Sequence, residues 1–126
     1  MLFRSIPGES GRLVRDEVEA RVRQRLVAAG IALVDAPGAD ALLSVSMYFQ
    51  CHADSLVCGH HTTFELWQWV ELSRDRTNRI AAITWHNSYS SGVSKAELTG
   101  LPLRLLADAG SLLNGFVGDY GTANPR

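Results

Sequence analysis

The alternation of apolar and polar positions is clearest at residues 62–72, TTFELWQWVEL. Successive side chains of an extended strand point to opposite faces. One face of this strand would be mainly apolar and contains Phe64, Leu66, Val70 and Leu72. The other face would carry Trp67 and Trp69 between two glutamates. Such a segment is typical of the middle strand of an antiparallel sheet with helices on one face and a partly open second face.

Two flanking segments show the same period. Residues 41–50 alternate apolar and polar side chains, and so do residues 80–89. In the second of these, the alternation places four apolar residues on one face: Ala81, Ile83, Trp85 and Tyr89. The connections at 51–61 and 73–79 are of hairpin length. The three strands are therefore predicted to form an antiparallel meander with 62–72 in the middle.

Two other stretches have a helical period. At residues 11–29 apolar positions recur every three or four residues, with alternating acidic and basic side chains on the opposite face. Ser10 is a candidate N-cap, and Gly30 is a candidate C-terminal stop. A second apolar stripe begins near Leu101 and runs to Tyr120. Its interior glycines are predicted to mark close approach to the sheet: Gly110, Gly115 and Gly118.

These elements predict an α+β fold. Both helices need an apolar partner, and one face of the sheet supplies it, so the layers form a two-layer sandwich. The sheet is an antiparallel meander of three to four strands with both helices on one face, in the order (β)αβββα. Residues 1–11 would be an irregular lead-in or a partial first strand, and 12–126 a single domain. A short extra strand is also compatible with residues 31–34.

Composition narrows the function classes. The 126 residues are 46% hydrophobic and carry a formal charge of −1, which gives no electrostatic case for nucleic acid or an anionic membrane as partner. No apolar run approaches the roughly 20 residues of a transmembrane helix. The opening MLFRSIPGES is too short and polar for a secretory signal. A phosphate-cradling glycine loop, a serine nucleophile elbow and a spaced carboxylate pair are absent from the sequence, which favours a non-enzyme.

The segment at 51–61, CHADSLVCGHH, is the one cluster with chemical character. Cys51 and Cys58 could form a disulfide at the end of a strand, which would imply an oxidising compartment. Alternatively the two thiolates and His52, His60 and His61 could bind Zn²⁺ or another transition metal, although the C-x6-C spacing matches no usual chelating knuckle. The third alternative is two free thiols and solvated histidines.

The aromatic residues of the open sheet face are the other candidate site. Trp67 and Trp69 project from the same side of the central strand, and Tyr48 of the preceding strand could stand beside them. Exposed aromatic groups of this kind either form a second small core under a loop or partner, or act as a binding platform. Burial against another chain or a loop is the favoured interpretation.

Three segments resemble a family of small, signal-peptide-bearing bacterial envelope proteins of uncharacterised function. The first is VRDEVEARVRQRLVAAGI at 14–31, and the second is ELWQWVEL at 65–72 followed by AITW at 82–85. The third is the ending LLNGFVGDYGTANPR, similar to the family's F-x-x-D-Y-x-x-x-N-P close. The resemblance implies export to the periplasm and a strand before the first helix, but no activity and no catalytic residues. The chain departs from the family in two ways: it lacks a signal and most of that first strand, and it adds the cysteine and histidine segment.

The sequence therefore predicts a periplasmic or otherwise exported protein and favours a non-enzyme over a small-molecule enzyme. Its function would be protein–protein contact, with a protein partner or a second copy, through the Trp67 and Trp69 face or an exposed strand edge. The alternative function is a metal-binding or metal-sensing module built on the 51–61 segment.

Overall fold

The computed structural model of the chain describes residues 1–7, 14–34 and 39–125. The strands and helices follow in the order βαβββα, with a short 3₁₀ helix, Lys95–Gly100, before the last helix. Their bounds are β1 Leu2–Pro7, α1 Arg15–Ala28, β2 Ala41–Cys51, β3 Val57–Leu72, β4 Asp75–Ser94 and α2 Leu101–Ala123. The predicted α+β fold and element order are confirmed.

The four strands form one sheet in the order β1-β2-β3-β4. β2, β3 and β4 pair antiparallel as the predicted meander, whereas β1 pairs in parallel with β2. Parallel neighbours need a crossover connection, and α1 supplies it. Residues 31–34 form no strand; Val34 N donates to the Met1 carbonyl at 3.1 Å, and the Met1 amino group donates to the Ala32 carbonyl at 2.8 Å. The predicted cap Ser10 and the end of the predicted lead-in lie outside the described residues.

Both helices pack on one face of the sheet around a single core. The predicted stripe of α1 is confirmed in its centre, where Val18, Val22 and Leu26 are fully buried. β2 contributes alternate residues to the same core, and β3 contributes Phe64 and Leu66. Burying an aliphatic or aromatic side chain of this size stabilises the fold by about 1.5–3 kcal/mol, so this face of the sheet is the main source of stability.

Helix α1 ends as the sequence predicts. Gly30 has φ of 77°, a left-handed conformation that L side chains rarely adopt. Its N–H donates to the Val27 carbonyl at 2.9 Å, and the N–H of Ile31 donates to the Leu26 carbonyl at 3.0 Å. This pair of hydrogen bonds is a Schellman motif. Ile31 and Leu26 are both buried, so the turn also joins the helix end to the core.

Helix α2 begins with Pro102 in its first turn, where a missing N–H costs nothing. The prediction that its glycines mark close approach to the sheet is wrong. A Cβ added at Gly110, Gly115 or Gly118 would meet no heavy atom within 4 Å. Within the described residues, no helix is both long and apolar enough to cross a membrane.

A bulge in β4 corrects the predicted faces of that strand. Leu66 pairs with Trp85, but its neighbour Trp67 pairs with Ile83, so Thr84 is an extra residue in the ladder. One extra residue exchanges the faces of all residues beyond it. Trp85 therefore lies on the helix side, whereas Ile83 lies on the open side.

The strands are also longer than predicted. Pairing of β2 with β3 continues to Cys51 opposite Cys58, so much of the predicted 51–61 connection is strand. At the other end, the predicted seven-residue connection shrinks to a turn at Ser73 and Arg74. β3 and β4 extend as a two-stranded ribbon beyond the last β2 pair, Ala41 with Gln68.

Candidate interaction surface

The helix-free face of the sheet carries an exposed apolar group at the end where β2 begins. We call it the indole patch, and its members are Leu42, Trp67, Trp69, Ala81 and Ile83. Trp67 stands between Leu42 and Ile83 in the strand register, and Trp69 is paired with Ala81. Trp69 is 58% exposed, Ile83 45% and Trp67 36%. Within the described residues, no part of the chain buries this group.

Two features fix the shape of the patch. The Trp67 indole N–H donates to Glu65 Oε2 at 3.1 Å, which orients the ring along the strand. Beside Trp69 lies a shallow cavity of about 220 Å³, which is bordered by Asp40 and Gln68 as well as by patch residues. The patch is therefore an apolar surface with a groove, and polar groups lie only at its margin.

Tyr48 does not join the two tryptophans. It lies on the same face, but its register partner is His61, whereas the partner of Trp67 is Leu42. Six residues of strand, about 20 Å, separate Tyr48 from Leu42. The Tyr48 hydroxyl donates to Gln50 Oε1 at 2.9 Å in a polar region of the sheet face. Leu42 and Ile83 lie beside the indoles instead. The sequence does not predict these two neighbours, because Leu42 is placed by the β2–β3 register and Ile83 by the bulge in β4.

The two cysteines form the disulfide that the first of the three alternatives predicted. Cys51 and Cys58 face each other across β2 and β3 with an S–S distance of 1.99 Å and Cα atoms 4.3 Å apart. Cys58 is fully buried, so the bridge closes the end of the core. Lys95 holds the short connection in place, because its Nζ donates to the His52 carbonyl at 2.7 Å and its N–H to the Leu56 carbonyl at 2.9 Å.

The histidines of this segment do not converge. His60 faces the helices, whereas His61 faces the open side, where Nδ1 contacts Ser90 Oγ and Nε2 lies 2.6 Å from Thr63 Oγ1. Both nitrogens of His61 are thus occupied, and the cysteines are not thiolates. Among the described residues, no three His, Cys, Asp or Glu side chains are grouped to hold a metal ion. The structure gives the metal-binding alternative no support.

His60 is a buried titratable group between β3 and α2. The residue is 2% exposed, and neither ring nitrogen has a hydrogen-bond partner among the described residues. The hydroxyl of Thr62, two residues along the same face, is also unpartnered. Burial lowers the pKa of His60, although the Asp108 carboxylate, 3.6 Å from Nδ1, raises it and Arg104 lowers it further. Burial therefore favours the uncharged imidazole of His60 over the imidazolium.

Comparison with known proteins gives distant structural similarity only. No protein-family model matches the sequence, and no curated protein matches it. A minor lipoprotein from Acinetobacter baumannii is 10% identical, with 97% of this chain and 93% of that chain covered and a TM-score of 0.47. The PelC dodecamer from Paraburkholderia phytofirmans is 20% identical over 89% and 85% of the two chains, with a TM-score of 0.44. A hypothetical protein from Chlamydia trachomatis is 10% identical over 92% and 96%, with a TM-score of 0.45. Identities and TM-scores this low carry no argument about function.

Proposed function

We propose that this chain is a non-enzymatic protein-interaction module of an oxidising compartment, which binds its partner on the indole patch. The observation that carries the proposal is the exposure of Trp67, Trp69 and Ile83 side by side on the helix-free sheet face. Contiguous exposed apolar groups of this kind mark interaction sites in soluble proteins. Tryptophan is also the residue type most enriched among the few that supply most of the binding energy.

The energetics favour a partner rather than a bare surface. Trp69 has more than half of its surface in water, and covering it would contribute on the order of 1–2 kcal/mol. The β3 backbone at Trp67 is paired with β2 on one side and β4 on the other, and at Trp69 it is paired with β4. Binding there requires little ordering of the backbone, so most of the gain from burial is retained.

The disulfide supports an oxidising compartment as the location of the protein. Bridges of this kind persist in exported proteins and are rare where glutathione keeps thiols reduced. The resemblance to exported bacterial envelope proteins points the same way, so we propose the periplasm as the place where the module acts. The residues with the most reactive chemistry are engaged in structure, since Cys51 and Cys58 are bridged and His61 is hydrogen-bonded. This engagement supports contact rather than catalysis.

Photo-crosslinking in the producing cell tests the proposal. A benzophenone amino acid replaces Trp69 or Ile83 in the patch, and Tyr48 serves as the matched control, since it is an exposed aromatic residue on the same face. We expect adducts with the same protein from Trp69 and Ile83 but not from Tyr48. The adduct from Ile83 should disappear when Trp67→Thr is added, and unchanged far-ultraviolet circular dichroism confirms that this variant is folded.

Two results would contradict the proposal. One is the absence of any adduct from Trp69 and Ile83 in cells where the full-length chain is irradiated at its normal level. The other is an identical set of adducts from all three positions, which would indicate random collision rather than a binding face. An adduct of this chain with itself supports the proposal as much as an adduct with another protein.

A further inference from the structure

β3 and β4 extend beyond the rest of the sheet as a two-stranded ribbon. We call residues 70–80 the arm. They pair only with each other, because the β2 register ends at Gln68. Every residue from Glu71 to Ile80 is exposed. An isolated two-stranded ribbon is marginally stable in water. A contact with another surface would therefore stabilise the arm.

The arm combines apolar and basic groups. Leu72 and Ile80 lie on the helix side of the ribbon, beyond the end of α2, and are 40% and 47% exposed. Three arginines surround them, at positions 74, 76 and 79. None of the three guanidinium groups has a hydrogen bond or ion pair with a described residue. The arm's two acids offset them only in part, and Asp75 accepts bonds from Thr77 and Asn78.

The opposite end of the molecule combines apolar groups with carboxylates. We call residues 52–57 and 95–108 the bridge end, since the disulfide and the start of α2 lie there. It carries the most exposed aliphatic side chains of the described chain, with Leu56 83% and Leu103 74% exposed. Three carboxylates accompany them, of which the first two are exposed and the third is half-buried: Asp54, Glu97 and Asp108.

The formal charges of the two surfaces have opposite signs. The bridge end has two cations, and both are engaged, because Lys95 binds the His52 carbonyl and Arg104 binds Ser91 Oγ at 3.3 Å. Three carboxylates against these two cations leave the bridge end with a formal charge of −1. Three arginines against two acids leave the arm with a formal charge of +1. The exposed carboxylates of one surface are therefore available to the arginines of the other.

The two surfaces lie at opposite ends of one strand. β3 runs from Val57 at the bridge end to Leu72 in the arm, which corresponds to about 50 Å of extended chain. A contact between them within one molecule is therefore impossible, whereas a contact between two copies needs no rearrangement. Basic and apolar groups on one end match acidic and apolar groups on the other, and such complementarity specifies partner and orientation.

We infer that a second copy of this chain is the partner of the arm, which docks head to tail on the bridge end of the next molecule. Leu72 and Ile80 pack against Leu56 and Leu103 of the neighbour, and the arm arginines bind its exposed carboxylates. A contact of this kind uses different surfaces on the two partners, so it propagates into a ring or a filament. This inference uses surfaces outside the indole patch and does not depend on the proposed function.

Charge exchange tests the inference on the full chain. One variant carries Arg74→Glu and Arg76→Glu, a second carries Asp54→Lys and Glu97→Lys, and a third combines all four. Arg15→Glu with Arg21→Glu on the exposed face of α1 is the matched control for net charge. Sedimentation velocity over a concentration series, at low and high ionic strength, gives the association constant for each protein.

We expect the wild-type chain and the α1 control to self-associate, and more weakly as salt screens the contact. Each double variant should associate at least about tenfold more weakly, because like charges then face each other. An equimolar mixture of the two double variants should recover association, and so should the fourfold variant.

A wild-type chain that stays monomeric at low ionic strength would overturn the inference, even if it bound anionic lipid vesicles through the arm. So would association that the arm variant leaves unchanged. Association abolished by Trp67→Thr but not by the charge reversals would assign self-association to the indole patch, which contradicts this inference and leaves the proposed function intact. If the crosslinks from the indole patch fail but the charge reversals weaken self-association as expected, the proposed function is contradicted and this inference is supported.

Discussion

His60 shows how one residue can make the stability of this fold depend on pH. Its imidazole is enclosed between β3 and α2, and burial lowers its pKa below the ordinary value, with the charges of Asp108 and Arg104 opposing one another. Because the folded state then binds this proton less readily than the unfolded chain, stability falls as pH falls from about 6.5 through the lower folded pKa. Chemical denaturation at pH 7 and at pH 5 should show the loss.

The variant His60→Phe isolates this contribution from the other histidines. It removes the titrating group together with two unpaired nitrogens, so we expect stability at pH 7 to be kept or raised and the change between pH 7 and pH 5 to become smaller. A wild-type chain that becomes more stable on acidification, or a variant with the same pH dependence, would show that another group titrates. Asp108→Asn should enlarge the wild-type pH dependence, because the carboxylate favours the imidazolium.

Gly30 is a second position where one residue decides a local conformation. A side chain with a Cβ in the left-handed region costs roughly 1–2 kcal/mol. Gly30→Ala should therefore lower the free energy of unfolding by about that amount, measured by urea denaturation. Gly59→Ala is the control, since φ there is not positive and the added Cβ meets no atom within 4 Å; an equal loss in both variants would contradict the explanation.

At the scale of elements, the disulfide stabilises the β2–β3 hairpin by restricting the unfolded chain. Its ring spans a sequence separation of seven residues, and the chain-entropy model gives a stabilisation of about 2–3 kcal/mol for a ring of that size. We expect a reductant to lower the free energy of unfolding by this amount in the wild-type chain. The double variant Cys51→Ala with Cys58→Ala is the control and should not respond to reductant.

Helix α2 can be made more stable at its exposed glycines. Gly115 and Gly118 are solvent-exposed, and a Cβ would meet nothing within 4 Å. Each replacement by alanine in a helix interior should raise stability by about 0.5–1 kcal/mol, since it reduces the backbone entropy lost on folding. Thermal unfolding would show a higher midpoint for Gly115→Ala and Gly118→Ala. A lower midpoint would indicate that a partner or a packed surface needs the missing side chain.

The sequence predicts the elements better than the details that arrange the candidate surface. Period-two and 3.6-residue patterns identify β2, β3 and both helices because those elements have one buried and one exposed face. The bulge at Thr84 has no such signature, since it inserts one residue into a strand whose two faces are both partly apolar. Without it, Ile83 and Trp85 are predicted on one face, and the indole patch cannot be assembled correctly.

The cysteine and histidine segment at 51–61 is a second case in which periodicity alone does not predict the structure. Adjacent His60 and His61 point to opposite sides of the sheet because β3 begins at Val57 and both residues lie within it. The predicted start at residue 62 is wrong, since the polar sequence there lacks the apolar alternation that identifies a strand. Pairing across the disulfide extends the strand into it. Tertiary pairing of this kind overrides local propensity.

At the scale of the whole molecule, the sheet has two different faces and two different ends. One face is covered by both helices, whereas the other exposes the indole patch. One end carries the basic arm, and the other carries the acidic bridge end. A molecule with this asymmetry can contact copies of itself along its axis while its open face contacts another partner, so the two proposed contacts are compatible.

The topology also sets the order in which the molecule assembles. β2, β3 and β4 are joined by short hairpin turns, whereas β1 reaches β2 only across α1. Contacts that close short loops lose less chain entropy and form early in folding. Val45 in β2 and Val22 in α1 provide a matched pair, since both are fully buried valines whose truncation to alanine should cost about 1–3 kcal/mol. In stopped-flow chevron plots, Val45→Ala should mainly slow refolding and Val22→Ala should mainly accelerate unfolding.

If Val22→Ala instead slows refolding and Val45→Ala accelerates unfolding, the unit formed by β1, α1 and β2 nucleates folding. If the expected pattern holds, the hairpin that displays the patch and the arm is formed before the helix layer closes over its other face. During that interval both faces of the meander are open to water. The nascent chain would then be most prone to aggregation before α1 docks, and variants that weaken α1 packing should lower the yield of soluble protein more than their equilibrium stability predicts.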